Sequence, residues 1–191
     1  MTEELKQKNL DIFDKKLRQL GIDTNALFSK YTDRLLNATF TNSNEFGNAY
    51  DGSLVEIVLK VLTPYAVRLN ELLPEEQRVD KSTLVKVCLL HQIAKAVRIV
   101  PNDNQWEIEK RGLLYKYDDS LPSIRTGLHS VSMCIECGIP LTAEEIEAMT
   151  VNDRDLTDDQ ARWHSSLMAS IVRQASEMVY LEANNSPKKT E

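Results

Sequence analysis

The sequence predicts an all-α protein with one small β-hairpin inserted, and three observations carry that expectation. Apolar residues recur at helical spacing through most of the chain. Capping residues, glycines and prolines stand where those periodic runs begin and end. One stretch, QWEIEKRGLLYKY (residues 105–117), instead alternates short apolar and charged runs about Gly112, which predicts a hairpin over about 103–118.

Leu5, Ile12, Phe13, Leu17 and Leu20 fall on one stripe of a first helix, which Gly21 stops. Thr24 is placed to cap a second, with Leu27, Tyr31, Leu35 and Leu36 inward. This N-terminal helical hairpin forms an extension over 1–47, and the polar run TNSNEFGN separates it from the rest of the chain. A long helix is expected from near Ser53 to Leu73-Pro74, with a kink at Pro64. Asp80 or Ser82 opens the next, which runs through LVKVCLLHQIAKAV. Helices resume near Pro122 and are closed by Gly138 and Pro140. Thr142 to Glu145 spells a capping box, T-A-E-E. Thr157 caps a last long helix with Trp163, Leu167, Ile171, Met178 and Leu181 inside. Residues 48–183 thus make a helical domain, packed with the extension as one unit, and NNSPKKTE (184–191) a disordered tail.

Composition narrows the function. The chain has 191 residues, 42% apolar and 27% charged, enough to bury about 70% of its unfolded surface in one core. A net charge of −6 argues against a nucleic-acid partner, whose phosphates call for clustered Lys and Arg. The nearest basic stretch, KNLDIFDKK, is interleaved with acids and reads as a solvated helix face. No apolar run approaches the roughly 20 residues that span a bilayer, so no membrane partner is expected. The charged N-terminus is unlike a signal peptide, and three cysteines cannot all pair. Reduced thiols and a cytoplasmic location are the resulting expectations.

Few constellations offer chemistry. Cys134 and Cys137 form a C-x-x-C, but only Cys88 and scattered histidines could complete a zinc site. The pair falls at a predicted helix C-terminus, where the dipole disfavours thiolate, and reads as core. His164 before Ser165 and Ser166 lacks a glycine-rich elbow or an orienting acid. The acidic run VNDRDLTDDQ lacks the central Gly and terminal Glu of a calcium loop. LLHQIAK (89–95) remains: a polar pair, His91-Gln92, on an apolar helix with Lys95 one turn later.

Together, GSLVEIV, LLHQIAK, QWEIEKRGLLYKY, GLHSVS, LTAEEIEAMTVND and IVRQASEM, in that order, make residues 50–180 resemble the HD-domain superfamily of metal-dependent phosphohydrolases, in particular its compact bacterial and phage-type members. Those proteins read G-G-L-x-E-H-S, L-L-H-D-I-x-K, a hairpin containing Trp, G-H-G-E-K-S, L-T-x-x-E-x-x-A-I-R-W-H-M and a final helix with A-D. The resemblance implies an HD-like helical bundle and places the family's functional positions one by one. The first histidine falls on Ile57. The histidine of the HD pair is kept as His91, while its aspartate is Gln92. The remaining histidines fall on Leu128 and Asn152, the last aspartate falls on Ser176, and the lysine after the HD pair is kept as Lys95.

Ile57 and Leu128 have no lone pair to give a metal, Gln92 offers a neutral carbonyl, and Ser176 removes the second acid. The expectation is a catalytically degenerate relative with no catalytic residues, metal or cofactor, leaning away from being an enzyme. It would serve as a structural or interaction module or as a metal-free ligand sensor. A remnant pocket of His91, Gln92, Lys95 and Asn152 would bind an anionic small molecule, with Arg98 or Arg125 assisting Lys95. His91 and Gln92 would satisfy each other or nearby backbone, and the N-terminal helices would offer a face to a protein partner or a second copy. The alternative is an active phosphohydrolase acting on a nucleotide or phosphomonoester, its metal site rebuilt from Asp153, Asp155 or His129. His129 lies one residue, about 100° of helix rotation, beyond the expected position.

Overall fold

The computed structural model describes residues 1–43, 48–153 and 165–185. Thr2 starts α1 (Glu3–Gln19) by accepting the Leu5 amide, and Ile22 and Gly21 amides close it by reaching back to Leu17 and Arg18. Its buried stripe is Lys6, Asn9, Leu10, Phe13 and Leu17. Leu5 and Ile12, expected inward, are exposed instead. The stripe contains two polar residues, and a purely apolar count rotates the face away from them. Lys6 tolerates burial because its ammonium meets Glu3 at 2.6 Å and Asn37 Oδ1 at 2.6 Å.

In α2 (Asn25–Asn37), Leu27 and Leu35 are fully buried and Tyr31 and Leu36 pack beside them. Thr24 does not cap this helix as expected; its hydroxyl turns to Asp14 on α1, and Asp23 accepts the Asn25 amide. Phe13, Leu27 and Leu35 belong to the same apolar cluster as Leu54, Leu89 and Val172.

The expected long helix forms as α3 (Ser53–Ile57), a π-helical stretch (Val58–Leu62) and α4 (Thr63–Glu71). The Thr63 amide reaches back five residues to Val58 O. The widened turn sits directly before Pro64, whose ring lacks a donor and crowds the turn before it. Asp80 Oδ2 accepts the Thr83 amide at 2.7 Å and opens α5 (Lys81–Leu90).

The regular helix stops at Leu90, short of the expected run. From Ile93 to Val97 backbone amides reach back three residues (Ile93 to Leu90, Lys95 to Gln92, Ala96 to Ile93, Val97 to Ala94). Ala94 is the exception, its amide captured by Ser130 Oγ at 3.1 Å. Helix α6 (Lys95–Arg98) then leads into β1 (Ile99–Pro101).

The hairpin is not built as expected. β1 pairs antiparallel with β2 (Tyr115–Tyr117) in the register Ile99↔Tyr117, Val100↔Lys116 and Pro101↔Tyr115. QWEIEKR between them is helix α7 (Gln105–Arg111), so one strand lies outside 103–118 and the Trp sits on a helix. Asn104 starts α7 by accepting the Trp106 and Glu107 amides, and Gly112 ends it at φ 64°. Those two residues override the mixed period between them.

Helix α8 (Thr126–Glu136) ends with Ile139 and Gly138 amides on Cys134 and Ile135 carbonyls. Cys134 and Cys137 are buried at that C-terminus, and burial pushes the Cys134 thiol up to about 12. The capping box forms as expected at the start of α9 (Ala143–Thr150), which a short 3₁₀ turn (Val151–Asp153) continues. Thr157, Trp163, His164 and Asp155 lie outside the described residues. The last helix, α10 (Leu167–Asn185), buries Met168, Ala169, Ile171, Val172, Ala175 and Val179, while Leu167, Met178 and Leu181 are exposed. The small residues Ala169 and Ala175 define the buried face, and an eye for large side chains misplaces it. The helix extends to Asn185, beyond the expected start of the tail. Among the described residues no helix is long and apolar enough to cross a membrane.

Gly127 on α8 has no room for a side chain: a Cβ would lie 2.4 Å from Met149 O and 2.7 Å from Asp153 Oδ2. Gly127→Ala should therefore cost about 2 kcal/mol or more in urea unfolding. A cost below about 0.5 kcal/mol would show that α8 and α9 do not meet this closely.

Candidate functional site

The tightened backbone after Leu90 presents three polar side chains in one region. His91 is fully buried, and its Nδ1 lies 3.1 Å from Cys88 O. A carbonyl only accepts, so Nδ1 carries the proton and Nε2 turns its lone pair toward Ser176 Oγ, 3.4 Å away on α10. Ser176 Oγ also accepts Asn152 Nδ2 at 3.0 Å and donates its one proton to Val172 O at 2.9 Å. His91, Asn152 and Ser176 therefore lie together. The imidazole meets backbone and Ser176 rather than Gln92. Burial pushes the imidazole down to about 4, with the nearby Lys95 adding to the shift against the opposing pull of the Cys88 carbonyl.

Gln92, Lys95 and Asn152 line a cavity of about 280 Å³ together with Phe40, Tyr117 and Tyr180. Lys95 is buried, with its Nζ 3.7 Å from the Phe40 ring centroid and donating to Tyr180 Oη at 3.3 Å. Among the described residues no carboxylate pairs with it. Burial pushes its amine down to about 7. Cation–π contact in a desolvated site contributes about 2 kcal/mol, less than the several kcal/mol that removing an ammonium from water costs. The aromatic walls therefore soften the cost of the charge without cancelling it.

Asp153 also lines the cavity, but its two oxygens accept the Gly127 and Leu128 amides at 3.0 and 2.8 Å. Its charge is thus directed at the N-terminus of α8. Thr41, Asn42 and Thr126 add uncharged donors to the wall.

Other expected positions lie elsewhere. Leu128 is half exposed, and Ile57 lines a separate cavity with Tyr50, Lys60 and Glu182. His129 interacts with Arg98 and is absent from the Lys95 cavity. Arg98 donates to Pro122 O at 3.4 Å and Arg125 donates to Asp153 O, and neither lines the cavity, so Lys95 is not assisted by them. Among the described residues no three His, Cys, Asp or Glu side chains are grouped to hold a metal ion. The donors around His91 are a hydroxyl and amides, a poor set for a catalytic divalent metal, which needs carboxylate charge and further imidazoles.

Phe40, Tyr117 and Tyr180 are not among the site residues that the sequence suggests. They come from the segment after α2, from β2 and from α10, and no sequence spacing links them. Comparison with known proteins finds no family model, curated protein or solved structure that matches this chain.

The neutral, buried His91 sets a pH dependence. Its folded value near 4 lies below the unfolded value of about 6.5. The unfolded chain thus takes up the proton first, and stability present above pH 6.5 is lost as pH falls toward 4. Between pH 7.5 and 5, wild type should lose about 2 kcal/mol more than His91→Gln in urea unfolding. Equal losses would mean that His91 is hydrated or paired.

Proposed function

We propose that this chain is an HD-like helical domain without a catalytic metal, and that it binds a small anion at Lys95. The observation that carries this reading is an ammonium group buried in the wall of a cavity where, among the described residues, no carboxylate pairs with it. Retaining such a group costs stability, and a ligand's negative charge would supply what the fold does not. The meeting of His91, Asn152 and Ser176 supports the HD likeness. Leu128 and Ile57 lie apart from that cluster and do not support it. Binding without turnover makes the domain a sensor or a ligand-stabilised interaction module.

An active phosphohydrolase is the second reading, and one observation favours it. An imidazole whose Nδ1–H is held by a carbonyl, leaving the Nε2 lone pair to face Ser176, is the arrangement of a metal-ligating histidine. Elemental analysis separates the two readings. The purified protein should carry well under one equivalent of Mn, Fe, Co, Ni or Zn, whereas one equivalent that disappears in His91→Ala would establish a metal enzyme.

Anion binding is tested by thermal unfolding in inorganic phosphate against an equal ionic strength of chloride. Wild type should gain melting temperature and Lys95→Met should gain only the general salt effect. Without ligand, Lys95→Met should be about 1–3 kcal/mol more stable than wild type, because a buried charge becomes a thioether against aromatic rings. The same phosphate response in both proteins would remove the anion from the account.

A further inference from the structure

We propose that Lys95 is a nucleophilic amine, and that the cavity takes small oxo acids, compounds with an aldehyde or ketone beside a carboxylate, by forming an imine with its Nζ. This rests on the anion-binding reading above, because the carboxylate of such a compound is the anion. The geometry provides each part. Lys95 is held by two aromatic rings, with Nζ 3.7 Å from the Phe40 centroid and 5.9 Å from that of Tyr180. Lys95 is buried against them, and among the described residues no carboxylate holds the amine in its charged form. Burial lowers the amine to about 7, so a large fraction of it is neutral at physiological pH.

Tyr180 Oη stands 3.3 Å from Nζ, and burial pushes its phenol up to about 12. The phenol therefore keeps its proton and can act as an acid beside the reacting nitrogen. Gln92 and Asn152, in the same cavity, carry amide N–H groups suited to a carboxylate. Tyr117 is half exposed in the same lining and marks the side open to solvent.

The step balances without a further reactant. The Nζ lone pair attacks the carbonyl carbon, and the carbonyl electron pair moves to oxygen, which takes a proton from Tyr180 or solvent. The added nitrogen returns one proton to restore that donor. The carbinolamine hydroxyl takes a second proton and leaves as water as the C=N bond forms. The remaining N–H proton replaces the second one, so amine and carbonyl become imine and one water. The imine is reversible and would hold the oxo acid covalently while it is bound.

The probe is glyoxylate with cyanoborohydride, whose hydride reduces the imine to a stable carboxymethyl-lysine located by peptide mass spectrometry. Lys8 and Lys15, both exposed, serve as internal standards. In the native protein at pH 7, Lys95 should be labelled about tenfold or more faster than either. Unfolding in urea should erase that preference, and Tyr180→Phe should slow labelling of Lys95 without affecting Lys8 or Lys15. If Lys95 labels no faster than the exposed lysines while phosphate still stabilises wild type but not Lys95→Met, the imine proposal fails and the anion site stands. If the preference for Lys95 is present and the phosphate response is missing, the amine chemistry stands and the anion reading fails.

Discussion

The hydroxyl of Ser130 captures the Ala94 amide, a donor that a continuous helix would direct to Leu90. Much of the site depends on that exchange. With the i→i−4 ladder interrupted, the backbone tightens into three-residue steps from Ile93 to Val97. His91 remains tied to the preceding turn through Cys88 O, while Lys95 begins a new short helix whose side chain reaches Phe40 and Tyr180. Ser130 sits on α8, whose first turn is held by Asp153 and whose Gly127 lies against Met149. Helices α8 and α9 therefore help set the course of the chain between His91 and Lys95.

The polar interior has two different characters. Around His91 the hydrogen bonds are neutral: the imidazole Nδ1–H donates to the Cys88 carbonyl, Asn152 donates to the Ser176 hydroxyl, and that hydroxyl donates to Val172 O. Around Lys95 the charge is met by aromatic faces and a phenol. The first is an arrangement that fixes structure. Among the described residues the second leaves electrostatic demand unmet, and that is a common physical mark of a functional group retained at a cost to stability. Phe40 lies in the segment after α2, so the N-terminal part of the chain helps build the cavity.

Several local capping signals in the sequence hold in the structure, although Thr24 turns to Asp14 instead of capping α2. The capping box at Thr142, the Asp80 cap and the helix end at Gly138 are among those that hold. Periodicity is less reliable where polar or small residues share the buried face, as Lys6 and Asn9 do on α1 and Ala169 and Ala175 on α10. QWEIEKR shows the same limit, since its mixed pattern hides a helix that Asn104 and Gly112 delimit. At the site, His91, Asn152 and Ser176 stand together while Ile57 and Leu128, matched through the same motifs, lie apart. The partners of Lys95 are not legible in the sequence, because Phe40, Tyr117 and Tyr180 are brought together only by tertiary packing.

The function of the cavity turns on the state of one amine. The direct measurement is the titration of Lys95, followed through its Cε–H signals by NMR with assignment from Lys95→Arg. A midpoint near 7 is the result that a desolvated ammonium with no carboxylate partner among the described residues requires. A midpoint near the ordinary lysine value of about 10.4 would mean that water or an acid already satisfies the charge, and would contradict the account.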